Sequence, residues 1–167
     1  MRVTVRFLEM TGPAQLVAPT RPVRGLSVRE VVPVDPALIR RFYLAVGERY
    51  AWVDRRPWTL AQWREWAGGR ALTTLVAEAD GKDAGFAVLD GQPDGDVELD
   101  YFGLLGEFTG RGYGSAFLYE ATRRAWGLGA RRVHLNTCSL DHPSALSGYL
   151  ARGFTVYRVV EEERPAD

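Results

Sequence analysis

The segment that most limits what this chain can fold into is a strand that runs into a cluster of glycines and then a helix. Val97 to Leu105 reads as a strand and Gly106-Glu107-Phe108-Thr109 as a turn. Gly110-Arg111-Gly112-Tyr113-Gly114-Ser115 then opens a helix that runs to about Trp126. Glycines at such a junction let backbone N–H groups approach an anion and take positive φ without steric cost. The helix N-terminus adds unpaired donors and a partial positive charge. The unit reads as a phosphate-binding turn in which Arg111 can add a charge-assisted contact.

Two rival phosphate motifs fit poorly. A nucleotide P-loop needs Lys-Ser or Lys-Thr after its last glycine, and here Gly114 is followed by Ser115-Ala116. A dinucleotide fingerprint needs a third glycine where this chain has Phe117 or Ser115, depending on the pair chosen. On the motif alone, a glycine-rich loop that merely turns the chain stays open.

The remaining elements follow from pattern and punctuation. Met1 to Met10 alternates as a strand, and the proline-bearing stretch from Thr11 to Arg24 reads as an irregular connection. Leu26 to Val32 is a second strand. Asp35-Pro36 then starts a helix to about Val46, with Leu38, Phe42 and Ala45 on one stripe. Thr59-Leu60-Ala61-Gln62 matches a capping box for a helix ending at Gly68-Gly69. Leu72–Ala79 and Ala84–Leu89 read as strands joined across Asp80-Gly81-Lys82-Asp83. Val133–Cys138 is a strand, a short helix opens at Pro143, and Phe154–Val160 is the last strand before a charged tail, Glu161 to Asp167, expected to fray. This order predicts an α/β (α+β) fold: one mixed, mostly antiparallel sheet with helices on both faces. Residues 1–167 read as a single domain, with 1–25 as an N-terminal extension.

Thr109-Gly110-Arg111-Gly112-Tyr113-Gly114 resembles the signature of the GNAT superfamily of acyl-CoA-dependent N-acyltransferases: Arg or Gln, two residues, Gly, one residue, then Gly or Ala. Thr109 departs from it, standing where the basic or amide residue belongs. A second segment is similar at matching spacing. Family members carry Asn-x-x-Ala-x-x-x-Tyr and then Gly-Phe, and this chain has His142-Pro143-Ser144-Ala145-Leu146-Ser147-Gly148-Tyr149, then Gly153-Phe154. The resemblance covers roughly Leu26 to Val160. It implies the GNAT-like fold, acetyl-CoA as co-substrate and no metal. Arg111, Gly112, Tyr113, Gly114 and Ser115 would cradle the pyrophosphate. The backbone N–H of Phe102 would meet the thioester carbonyl, and Leu104 would hold the pantetheine arm.

Acyl transfer to an amine needs a base, a polarised carbonyl and a proton for the leaving thiolate. Alternation along Val97–Leu105 puts Glu98, Asp100 and Phe102 on one face and Val97, Leu99 and Tyr101 on the other. Two carboxylates on one face can raise each other's pKa, as a base working near neutrality requires. Glu98 also lies where the histone-acetyltransferase branch is similar in carrying its glutamate base. Tyr149 is the candidate acid, against the alternative of an amphipathic core tyrosine. His142 can act as base, acid or coenzyme contact, or it can cap the helix that follows. His134 reads as structural, and Cys138 as a packed thiol without a base partner.

The acceptor side falls to the segment holding Tyr50, Trp52, Trp58, Trp63 and Trp66, with Arg49, Arg55, Arg56 and Arg64 among them. Trp63 and Trp66, three apart, are expected in the core, and Trp52, Arg55, Arg56 and Trp58 in a loop that walls a ligand. The expected acceptor is a small-molecule or amino-acid-like primary amine attacking directly in a ternary complex. A non-catalytic acyl-CoA sensor and a protein lysine or N-terminal acetyltransferase are the alternatives. The 21 acidic and 21 basic residues balance, so no global field draws in nucleic acid or an anionic membrane. No apolar run is long enough to span a bilayer, and one cysteine makes no internal disulfide. A cytoplasmic enzyme is the simplest reading, with homodimerisation left open.

Overall fold

Local signals set the element boundaries. Asp35 Oδ1 accepts from the backbone N–H groups of Ala37 and Leu38, with Pro36 at the first helical position, and starts α1 (Pro36–Gly47). Thr59 and Gln62 form the reciprocal capping box that starts α2 (Leu60–Gly68). Asp80 and Gly81 both take positive φ, as a two-residue hairpin turn demands, and join β3 (Ala71–Ala79) to β4 (Lys82–Gly91). The other strands are β1 (Arg2–Met10), β2 (Leu26–Val31), β5 (Asp96–Leu104), β6 (Arg132–Cys138) and β7 (Thr155–Glu163). The other helices are α3 (Tyr113–Gly127) and α4 (Ala145–Ala151). The chain is seen here as a computed structural model that describes residues 1–165.

The strands form one sheet in the order β2-β3-β4-β5-β6-β1-β7. Every neighbouring pair is antiparallel except β5 with β6. This is the mixed, mostly antiparallel α/β architecture expected. One face packs Leu75, Leu89, Leu99 and Leu135 against Phe117, Leu118 and Ala121 of α3 and Tyr149 of α4. The other packs Val76, Phe86 and Val88 against Leu38, Ile39, Phe42, Tyr43 and Val46 of α1 and Trp63 and Trp66 of α2. The α1 stripe thus ends on Tyr43 and Val46, and Ala45 is exposed instead. Each fully buried large side chain here contributes about 1.5–3 kcal/mol.

Two regions differ from expectation. Residues 1–25, expected as an extension with one extra strand, do hold that strand, but β1 lies inside the sheet between β6 and β7, with Val3, Leu8 and Met10 fully buried. The charged tail does not fray where it is described. β7 continues to Glu163 because β1 offers a pairing edge, with Arg2 opposite Glu163 and Arg164 N–H donating to Met1 O. Residues 166 and 167 lie outside the described part.

Among the described residues no helix is long and apolar enough to cross a membrane.

Candidate active site

The parallel pairing of β5 with β6 covers only Asp96 opposite Arg132, Val97 opposite Val133 and Glu98 opposite His134. Beyond Glu98 the two strands run on without pairing, so the sheet opens into a wedge. A cleft of about 780 Å³ fills this wedge. One wall is Leu99 to Leu104 of β5, and the other carries Asn136 and Cys138 of β6. The glycine turn and α4 close one end, and Tyr43, Trp52, Asp54 and Arg55 close the other.

The backbone of β5 is oriented by its other neighbour. Leu105 N–H donates to Ala84 O, so by antiparallel alternation the N–H groups of Gly103 and Tyr101 also face β4. Those of Phe102 and Leu104 face the wedge, and both residues line the cleft. A bulge interrupts this strand: Val88 stands opposite Tyr101 while Leu89 stands opposite Leu99, leaving Asp100 as the extra residue. The bulge overturns the expected alternation. Tyr101 sides with Phe86 and Trp63 in the α1–α2 layer, and Phe102 sits with Phe117 and Tyr149 in the α3–α4 layer.

The glycine turn has the geometry an anion needs. Gly110 and Gly112 take φ of 73° and 81°, and Gly112 starts α3 with no side-chain cap. The N–H groups of Tyr113, Gly114 and Ser115 therefore precede the first intrahelical bond, which runs from Ala116 to Gly112 O. Gly110, Gly112, Gly114 and Ser115 line the cleft. The side chains of Arg111 and Tyr113 turn elsewhere. Arg111 pairs with Asp80 at 2.8 Å and stacks over Tyr113, which is buried beside Phe108. Thr109 Oγ1 donates to Gly106 O at 2.7 Å.

Glu98 stands at the last β5–β6 pair, where the wedge begins, and is not among the residues that line the cleft. Burial, together with the negative charges of Asp100 and Asp90, pushes Glu98 up to about 7. Burial raises Asp100 as well, against the opposing pull of Arg55. Asp100 lines the cleft. Glu98, within the paired segment, accepts from Gln92 Nε2 at 3.2 Å, and Gln92 Oε1 meets His134 Nε2 at 2.9 Å. His134 therefore belongs to a hydrogen-bonded support behind Glu98, and its burial lowers its pKa.

Tyr149 lines the cleft from α4 and packs edge-on against Phe102 and Phe154. Burial and the nearby Asp141 push its phenol up, so it is a protonated donor at neutral pH. His142 sits on the exposed rim. Its Nδ1 accepts from Ser144 N–H at 3.1 Å and meets Ser144 Oγ at 2.7 Å, tying down the turn that leads into α4. Accepting at Nδ1 leaves the proton of the neutral ring on Nε2. Cys138 lines the cleft with its thiol raised by burial.

Trp63 and Trp66 are core residues, as their spacing predicts. Arg55 is not the open loop cation expected. Its guanidinium lies 4.7 Å from the ring centre of Trp58, 5.0 Å from Trp66 and 5.5 Å from Tyr101, and it donates to Tyr101 Oη. Asp141 ties the β6 wall to the loop that follows α1. It accepts from Thr137 Oγ1, from Cys138 N–H and, at 3.4 Å, from Trp52 Nε1. Among the described residues there is no cluster of His, Cys, Asp and Glu side chains suited to a metal ion.

This geometry can be set beside known proteins. Residues 38–154 match the model of the acetyltransferase (GNAT) family. Among solved structures, a GCN5-related N-acetyltransferase from Sphaerobacter thermophilus is 20% identical with a TM-score of 0.74, over 99% of this chain and 53% of that one. Another, from Kribbella flavida, is 20% identical with a TM-score of 0.67, over 95% and 56%. A GNAT family acetyltransferase from Brucella melitensis, in complex with acetyl-CoA, is 25% identical with a TM-score of 0.53, over 66% and 74%. The chain spans about half the length of the first two. No curated protein matches it in sequence.

Proposed function

Because the chain belongs to the acetyltransferase (GNAT) family, we propose that it moves an acetyl group from acetyl-CoA to the primary amine of a small, amino-acid-like acceptor within a ternary complex. The observation that carries this reading is the wedge between β5 and β6. Unpaired backbone donors and a phosphate-type turn stand at one end, and buried carboxylates with aromatic walls at the other.

Bound acetyl-CoA would supply an activated acyl group on a thiol leaving group. The N–H groups of Gly112 to Ser115 would hold its pyrophosphate, as α3's partial positive charge favours. The N–H of Phe102 would donate to the thioester oxygen, where negative charge grows during attack, and that of Leu104 would hold the pantetheine arm. Glu98 and Asp100 act as a basic couple. Asp100 faces the amine from the cleft wall, and Glu98, titrating near neutrality, takes up the proton. Tyr149 returns a proton to the thiolate. His142 serves the rim and the turn before α4, because its Nδ1 lone pair is already engaged.

The acceptor end carries Asp54, Asp100 and Asp141 with Tyr43, Trp52 and Tyr101, so an ammonium group approaches carboxylates and aromatic faces. Thiol release from acetyl-CoA across a panel of small amines, amino acids and lysine peptides tests the proposal. Turnover is expected on small amines and much less on peptides. Saturable acetyl-CoA binding with no thiol release on any acceptor would make the protein a binding module instead.

A further inference from the structure

Arg152 is a buried cation with no counter-ion. It caps the C-terminal end of α4 and is only 7% exposed, and among the described residues no carboxylate lies within ion-pair distance of it. Its Nη1 donates to Ser115 Oγ at 2.8 Å, and its Nε is buried without a partner. Guanidinium stays charged at any physiological pH, so a buried one without an anion costs stability. Its single partner makes the placement odder still. Ser115 is the third residue of α3, where the helix already presents partial positive charge.

A bound anion would resolve both features at once, and the neighbouring side chains leave that task open. Thr109 has spent its hydroxyl proton on Gly106 O, and Arg111 is paired with Asp80 at the surface. Arg49 lies against Gly106 but is exposed, where water screens its charge.

We infer that Arg152 supplies from behind the positive charge that the glycine turn lacks at Thr109, acting through Ser115 on the pyrophosphate of the donor. By accepting from Arg152, the Ser115 hydroxyl is left to aim its own proton into the turn, beside the N–H groups of Gly114 and Ser115. Arg152 is thus a positioning residue whose charge stays under the α3 N-terminus while Ser115 makes the contact. The inference rests on the donor being coenzyme A.

The test measures affinity by calorimetry for CoA, for dephospho-CoA (pyrophosphate kept, 3′-phosphate lost) and for pantetheine (neither). Loss of one charge-assisted contact predicts that Arg152→Gln binds CoA and dephospho-CoA about tenfold to 100-fold more weakly, while pantetheine affinity is unchanged. Ser115→Ala, which breaks the link from the helix side without touching the buried arginine, should show a smaller loss with the same ligand pattern. Without ligand, Arg152→Met should melt at a higher temperature than the wild type, since an apolar side chain of similar length replaces an unpaired buried charge.

A merely structural Arg152 would lower the melting temperature on substitution and weaken pantetheine equally, overturning the inference. A penalty seen with CoA but absent with dephospho-CoA would move Arg152 to the 3′-phosphate, and equal affinities for wild type and variant would remove it from binding. Wild-type protein that binds no CoA at all would overturn the donor reading together with this one.

Discussion

The two ends of the cleft are built on different principles. At the donor end the working groups are backbone N–H donors, placed by a short run of glycines and by the first turn of α3. The shape of the turn itself is set by residues adjacent in sequence. At the acceptor end the working groups are side chains from four separate elements: Tyr43 from α1, Trp52 and Arg55 from the following loop, Asp100 and Tyr101 from β5, and Asp141 beyond β6. Backbone donors recognise a group common to every acyl-CoA reaction. Converging side chains can change one at a time, so the acceptor end is where one member of such a fold differs from another.

The most severe way to break this contrast is Gly112→Val. At φ of 81° a β-branched residue is strained, and its Cβ would crowd Val23. CoA affinity should fall about 100-fold or more. The protein should stay folded with its acceptor-end aromatics in place, as near-ultraviolet circular dichroism would show. Unchanged affinity would mean that the turn is not the phosphate site.

Glu98→Gln probes the junction of the two ends, with an expected loss in turnover of roughly 100-fold or more and CoA affinity unaltered. In the wild type the rate should rise with pH through about 7 as Glu98 ionises, and this inflection should vanish in the variant. Stability gives an independent check. Glu98 binds its proton more tightly folded than unfolded, so its contribution is fully present below the ordinary glutamate range and is lost as pH rises through about 7. At pH 8 the glutamine variant should therefore melt above the wild type, and at pH 4 the two should coincide. A wild-type rate that is flat across this range would remove Glu98 as the base.

What the sequence made legible follows the same division. Motifs such as Gly110–Ser115 and the Ala145–Tyr149 pair with Gly153-Phe154 are local, and they point to the donor end before any contact is known. The caps at Asp35 and Thr59 and the turn at Asp80-Gly81 were equally readable. The bulge at Asp100 was not, because a single extra residue leaves no mark in an alternating pattern yet exchanges the faces of Tyr101 and Phe102. Arg55 looked like a free loop cation because its cage of Trp58, Trp66 and Tyr101 is assembled from distant parts of the chain. Arg152 carried no signal at all, since only burial shows that its charge is unanswered.

Tyr149→Phe should have a smaller effect than Glu98→Gln, about tenfold in the thiolate-release step, and should leave acetyl-CoA affinity intact. A stopped-flow measurement showing no change in that step would return Tyr149 to a packing role. The smallest effect is expected for Arg55→Ala. The acceptor KM should rise severalfold while CoA affinity holds. Because Arg55 opposes the upward shift of Glu98, its loss should move the pH inflection to higher values. An inflection that stays in place would uncouple the aromatic cage from the base.

The seat of β1 between β6 and β7 carries a consequence for biosynthesis. Thr4 bonds to Ser139, 135 residues further along the chain. At roughly 5–20 residues per second on the ribosome, β1 waits on the order of ten seconds for its first neighbour and longer for β7. Through that interval a strand bearing Val3, Val5, Leu8 and Met10 emerges with both edges unsatisfied. The strand that completes the sheet is thus made long before the two strands that house it, and a chaperone that shields β1 would act through that interval.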